Sequence, residues 1–421
     1  MSNFCFDKPI VRRGTGCYKW DEYREEDIIP MWVADMDFPT APVIIEALQR
    51  RVAHGVFGYT LVNDSYYEAV RSWFLRRHHW TIAREWIQYT SGVVPALSVI
   101  VKAFTQPGDR VILQTPVYNC FFSSVRNNGC EVVENLLRCK RNLRKTEPSI
   151  FCSKSDLREN EPSIFCSKSD LRETNPSIYY EMDYEDLEAK AADPRAKLLV
   201  LCNPHNPVGR VWQRDELERV ADICRRHQVI VVSDEIHNEL TFCGRRYTAY
   251  GTVDMENAII CTSPSKSFNT AGLQIANIIC KHASWRERID RAINQNEVCD
   301  VNPFGVVALQ AAYNEGEPWL EALCDYLWQN YQALCRFFAD RLPQLTVTPL
   351  EGTYLVWVDI RETGLTSDEL TRRLLEEGHV QVNSGTMYGA EAGEGFIRLN
   401  IACPRSQMME GLQRIEKVIN R

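Results

Sequence analysis

One short stretch concentrates side chains able to do covalent chemistry: Ser263-Pro-Ser-Lys266-Ser-Phe-Asn-Thr-Ala-Gly-Leu273. It follows an apolar run, Ala258 to Thr262, that reads as a strand. A lysine just past a strand end, flanked by small hydroxyl residues, suits condensation with an aldehyde. That reaction needs a deprotonated amine, and burial lowers an amine's pKa. Ser263 and Ser265 offer hydrogen bonds to an anion such as a phosphate. The same pattern also fits an ordinary surface lysine, so the elements around it must decide.

Two further groups recur in comparable positions. Lys197-Leu-Leu-Val-Leu-Cys202 and Val229-Ile-Val-Val-Ser233 are apolar without alternation, and amphipathic stretches separate them. Such strands belong in a parallel sheet covered on both faces. Asn203 opens the loop after the first, in Asn203-Pro-His-Asn-Pro-Val-Gly209, and Asp234 ends the second, in Asp234-Glu-Ile-His237. Ligands of such sheets bind beyond the carboxyl ends of the strands. Asn203, Asp234 and Lys266 all fall there. Helices are expected over 183–192 and 215–227, the latter with Leu217, Val220, Ala221 and Cys224 inward.

Upstream, Met31-Trp-Val-Ala-Asp-Met-Asp-Phe-Pro39 reads as an ordered extended segment. Thr40 is the expected cap of a helix carrying Val43, Ile44, Ala47, Leu48 and Val52, broken at Gly55-Val-Phe-Gly-Tyr59. Asp64 is the expected cap of the next helix, which runs to about His78. Ser91-Gly-Val-Val-Pro-Ala-Leu97 opens an apolar helix whose first free amides favour a phosphate. Tyr118 follows a short strand at 111–114. It either stacks on a flat ligand or packs in the core. After residue 296 the character changes. A helix is expected over 318–342, then strands at 345–348, 354–359 and 396–402. Arg398 and Asn400 share a face of the last strand. An arginine among apolar neighbours needs an anion, either a structural carboxylate or a substrate's.

The chain has 421 residues, 45% hydrophobic and 25% charged, a length that favours two or three compact units. A net charge of -8 gives no support for nucleic-acid binding. No apolar run is long enough for a membrane span, and no secretion signal is read at the start. The sixteen cysteines are scattered, with no C-x-x-C pair, so reduced buried thiols in a cytoplasmic protein are expected rather than disulfides or a metal site.

The ordered set Ser-Gly-Val-Val94, Tyr118, Asn203-Pro-His-Asn-Pro, Asp234-Glu-Ile-His237, Ser-Pro-Ser-Lys266 and Arg398-Leu-Asn resembles the fold-type I pyridoxal-phosphate (PLP) enzymes, aminotransferase class I/II. Met31-Trp-Val-Ala-Asp-Met-Asp-Phe38 and Arg398-Leu-Asn-Ile-Ala-Cys-Pro404 are similar to the cystathionine β-lyase (MalY/PatB) branch of C–S lyases. The resemblance implies an α/β aspartate-aminotransferase-like fold, with a mostly parallel sheet in a large domain plus a smaller α+β domain. It implies an N-terminal arm over 1–45 belonging to the smaller domain, a large PLP-binding domain over 46–295 and a small domain over 296–421. It further implies that Lys266 carries PLP and moves the Cα proton, while Asp234 pairs with the pyridine nitrogen. Asn203 and His237 would face the ring oxygen, with Tyr118 stacked on the ring. The Val93 and Val94 amides, Ser263 and Ser265 would hold the phosphate. Tyr59 would reach the phosphate and substrate of a neighbouring subunit, so a homodimer is implied. Arg398, with the Ala34 backbone nearby, would bind the substrate carboxylate. Gln274 stands where many aminotransferases place a phosphate-binding arginine, which favours the lyase. The implied activity is α,β-elimination from L-cystathionine or related cysteine conjugates, in amino-acid metabolism and methionine biosynthesis. An aminotransferase is the alternative, and a PLP-sensing regulatory module a remoter one, since no DNA-binding segment precedes residue 40.

One segment stands apart. Glu147-Pro-Ser-Ile-Phe-Cys-Ser-Lys-Ser-Asp-Leu-Arg-Glu159 recurs unchanged at 161–173, within a polar insertion over 139–178. This reads as a tandem duplication lengthening a single exposed loop, because solenoids need longer and more numerous units. Joining Thr146 directly to Asn175 should leave catalytic turnover intact. A folded but inactive deletion protein would refute that reading.

Overall fold

The computed structural model describes residues 4–23, 27–142, 177–295, 297 and 299–421. The duplicated segment, 147–174, lies outside them. On either side of it, Arg138–Asn142 pairs antiparallel with Ser177–Glu181 as a hairpin.

A seven-stranded sheet forms the centre, in the order Ile87–Thr90, Ala276–Ile279, Ala258–Thr262, Ile230–Asp234, Ala196–Cys202, Arg110–Thr115, Glu131–Leu136. Neighbours from Ala258–Thr262 to Glu131–Leu136 run parallel, and Ala276–Ile279 is antiparallel to both of its neighbours. The unbroken apolar strands have a direct cause. Alternate residues feed two separate cores: Leu199, Leu201, Val231 and Ile260 face one, Leu198, Val200, Val232 and Ile259 the other. Each such side chain contributes about 1.5–3 kcal/mol on burial. The first core is closed by Asp64–His78, through Trp73 and Phe74, and by Arg214–Arg226, through Leu217, Val220 and Cys224. The second is closed by Val93–Phe104.

Register places the chemistry. Cys202 pairs with Asp234, and Asp234 with Cys261, so three adjacent strands end at one level. Asn203, Asp234 and the loop carrying Ser263, Ser265 and Lys266 therefore leave the sheet on one rim.

A second, antiparallel sheet orders Thr346–Val347, Leu355–Asp359, Phe396–Asn400 and Asn383–Ser384. Helices Glu317–Arg341, Ser367–Glu376 and Arg405–Ile419 accompany it. Ile29–Pro30 pairs parallel with Val380–Gln381, and the Asn400 amide donates to the Met31 carbonyl. Residues 31–38 then continue as a strap bridging this sheet and the lysine loop, since Asn269 exchanges hydrogen bonds with Met36 and also donates to the Phe38 carbonyl.

Two expected caps are not formed. Ala41 precedes the helix Pro42–Ala53, and the Thr40 hydroxyl instead donates to the Phe268 carbonyl, a tertiary bond that outcompetes local capping. Asn63 precedes Asp64–His78, and the Asp64 carboxylate accepts from Arg84. Val52, expected inward, is 55% exposed.

Gly209 closes the Asn203–Gly209 loop at φ +75°, and a Cβ there would lie 3.3 Å from the Pro349 carbonyl oxygen. Its own carbonyl accepts from the amides of Glu351 and Gly352, fixing the loop to the segment between Thr346–Val347 and Leu355–Asp359. Gly209→Ala should lower unfolding free energy by about 1–3 kcal/mol, read as a lower urea midpoint; an unchanged midpoint would show that the turn is not constrained.

Candidate active site

Beyond the sheet rim lies a cavity of about 180 Å³, lined by Ala34, Ser91, Val93, Val94, Tyr118, Asn206, Asp234, His237, Ser263, Ser265, Lys266 and Gln274, among others. Lys266 and Asp234 both face it. The Lys266 amine donates to the Ala34 carbonyl at 2.6 Å, and the Asp234 carboxylate accepts from the Ile236 amide at 3.1 Å. Burial dominates both titrations. It depresses the lysine to about 8, partly countered by Asp35, and raises the carboxyl to about 7. Burial also holds His237 neutral, well below its ordinary value.

The far wall begins at the helix Val93–Phe104, capped by Gly92. Its first amides have no acceptor within the helix and are free to donate to an anion. Ser265 and Gln274 line the same region, while the Ser263 hydroxyl donates to the Ile275 carbonyl. Tyr118 caps the helix Asn119–Arg126 and supplies an aromatic wall. Arg398 is 3% exposed. It donates to the Trp32 carbonyl at 2.7 Å and to the Asn206 side-chain oxygen at 3.2 Å, and it stacks over Tyr388. Its Nε and the Nδ1 of His237 are buried without a partner. Unsatisfied buried polar atoms of this kind mark a site that expects a ligand.

One placement differs from the sequence expectation. Asn203 does not line the cavity. Its side-chain amide donates to the Thr248 carbonyl at 2.9 Å, and Asn206, the second asparagine of the same motif, lines the cavity instead. The alternation of the loop turns the first asparagine behind the sheet end and the second into the site. Tyr59, whose implied role is in a neighbouring subunit, is 97% exposed and does not line the cavity of its own chain. Tyr354 was not singled out in the sequence, yet its hydroxyl donates to the same Ala34 carbonyl that holds Lys266. The spacing of its strand gives no signal for that contact.

The cradle fits pyridoxal phosphate. Helix-start amides and Ser265 suit a phosphate, Tyr118 suits a flat ring, Asp234 suits a pyridine nitrogen, and Lys266 suits an aldehyde. Together with the parallel sheet and its carboxyl-end cavity, these define a PLP-dependent protein of the aminotransferase-like α/β fold. The chain belongs to the aminotransferase class I and II family, whose sequence profile matches residues 26–144 and 168–415. It is 38% identical to cystathionine beta-lyase PatB of Bacillus subtilis (strain 168) over 422 aligned residues, covering 99% of this chain and 100% of that one. Among solved structures, cystalysin from Treponema denticola, which contains PLP, superposes with a TM-score of 0.87 at 31% identity, covering 99% of each chain. The PLP-bound C–S lyase from Staphylococcus hominis gives 0.85 at 31% identity, covering 100% of this chain and 99% of that one.

The depressed lysine sets a pH dependence. Only the neutral amine attacks an aldehyde, so PLP capture by cofactor-free protein should quicken as pH rises and level off above about 8. Stopped-flow mixing across neutral to alkaline pH measures this. A profile still climbing toward the ordinary lysine value would contradict a buried amine.

Proposed function

We propose that the protein is a PLP-dependent carbon–sulfur β-lyase, cleaving L-cystathionine or related cysteine S-conjugates to thiol, pyruvate and ammonia. The observation that carries this reading is a cavity pairing Lys266 with Asp234, in a chain that aligns end to end with a named cystathionine beta-lyase. PLP, when bound, supplies an electron sink for the charge left on Cα.

The chain's residues do the rest. Asp234 would lie against the pyridine nitrogen and keep it protonated. Asn206, oriented by Arg398, would face the ring, and Tyr118 would cover it. The Val93 and Val94 amides and Ser265 would hold the phosphate. The unpartnered Nε of Arg398 takes the substrate carboxylate, which aims Cα–H at Lys266. Lys266, neutral at mildly alkaline pH, removes that proton. The Cβ–S bond then breaks with its electron pair leaving on sulfur. Hydrolysis of the remaining fragment gives pyruvate and ammonia. General base help of this kind contributes about 10²–10⁴-fold.

We read the protein further as a cytoplasmic homodimer in methionine biosynthesis. The fourteen cysteines among the described residues form no disulfide, which suits a reducing compartment. Val52, Val56, Phe57, Tyr59 and Leu61 are exposed as one apolar run, which suits a second copy bringing Tyr59 to its partner's site.

Incubation with L-cystathionine and no keto acid separates the readings. The lyase releases pyruvate and thiol in equal amounts, and Lys266→Ala abolishes both while the protein still melts cooperatively. Product that appears only after a keto-acid acceptor is added would overturn the lyase in favour of an aminotransferase.

A further inference from the structure

We propose that Tyr354 is a positioning residue for proton transfer at Cα, acting through the Ala34 carbonyl on Lys266. Two donors meet on that one oxygen: the Lys266 amine at 2.6 Å and the Tyr354 hydroxyl at 2.9 Å. The neighbouring carbonyls of the strap are held from the second sheet. Arg398 and Asn383 donate to Trp32, and Asn400 donates to both Val33 and Asp35. Ala34 lies between these clamps, and among the described side chains only Tyr354 and Lys266 donate to its carbonyl.

This geometry bears on the chemistry. A neutral lysine amine has two N–H bonds and one lone pair. Fixing one N–H on Ala34 restricts where the lone pair points, and the lone pair must meet Cα–H. After transfer, the ammonium leans on the same oxygen. The proton moves from Cα to Nζ, and the electron pair of the broken C–H bond stays on Cα, for which bound PLP would supply the sink. Tyr354 is well placed for a fixed role. It is 1% exposed, and its ring meets that of His237 edge-on at 5.9 Å. The Thr353 amide donates to the Leu240 carbonyl, and the Ile401 amide to that of Tyr354, so the backbone at this tyrosine is held on both sides. Burial raises the phenol's pKa, so the hydroxyl remains a donor throughout.

The proposal rests on Lys266 as the base but not on the leaving group, and the test exploits that difference. PLP-loaded protein is incubated with L-alanine in D2O, and loss of the Cα proton is followed by NMR. Alanine has no β-leaving group, so the signal reports the proton step alone. Tyr354→Phe keeps the ring against His237 and removes only the hydroxyl. Exchange at saturating alanine should slow by about tenfold, short of the roughly 10²-fold that a 1 Å misplacement can cost, with PLP affinity and melting temperature preserved. Exchange within about twofold of the unsubstituted protein, or a deficit that higher alanine concentration restores, would overturn the proposal. The second result would make Tyr354 a substrate contact. If the unsubstituted protein exchanges the Cα proton yet forms no pyruvate from cystathionine, the lyase reading fails while this test stands.

Discussion

A buried amine and a buried carboxylate face one cavity, and each makes its hydrogen bond to backbone rather than to the other. That arrangement is the constraint on which the rest depends. In a dry pocket two such groups would gain by collapsing into an ion pair. Here the Ala34 carbonyl draws the amine to one side, and the Ile236 amide holds the carboxylate on the other. Desolvation then moves both titrations toward neutrality, the lysine down to about 8 and the aspartate up to about 7. The charges are thus poised for a ligand that brings an aldehyde at one end and a basic nitrogen at the other.

Two sheets share the work of keeping them apart. The parallel sheet ends three strands at one level, which fixes Asp234 and the loop of Lys266. The antiparallel sheet supplies Arg398 and Asn400, whose side chains hold the strap at Trp32, Val33 and Asp35. Beneath the strap a second charge cluster stiffens it. Arg12 bridges Asp35 and Asp37, and buried Lys19 pairs with Asp37 at 2.9 Å. Breaking a buried pair of this type costs about 3–5 kcal/mol, because one charge is left uncompensated. The cluster therefore keeps the Ala34 carbonyl at fixed reach of Lys266, although no residue of the cluster enters the cavity.

Much of this was legible in the sequence. The strands around 197–202, 229–233 and 258–262 are apolar on both faces because each face feeds its own core, and that pattern survives in one dimension. Lys266 and Asp234 were legible because they end such strands. Asn203 and Asn206 were not separable, since Asn-Pro-His-Asn-Pro is nearly symmetric and only the path of the loop selects the inward member. The strap was legible as extended, and the resemblance set the Ala34 backbone beside the substrate, but its hold on Lys266 was not legible, because it works through a carbonyl, which every residue carries alike. Val52 looked like a core residue by its helical spacing, yet it lies in an exposed apolar run. The edge strand Asn383–Ser384 is two residues long and polar, too short for any period to register.

The central claim is that one amine, at the end of one strand, carries the cofactor. Reduction of the PLP-loaded protein with borohydride, followed by digestion and peptide mass mapping, tests it directly. The account predicts the reduced cofactor's mass on the peptide containing Lys266 and on no other. A stable label on a different lysine, or none on Lys266 in a fully loaded sample, would contradict it.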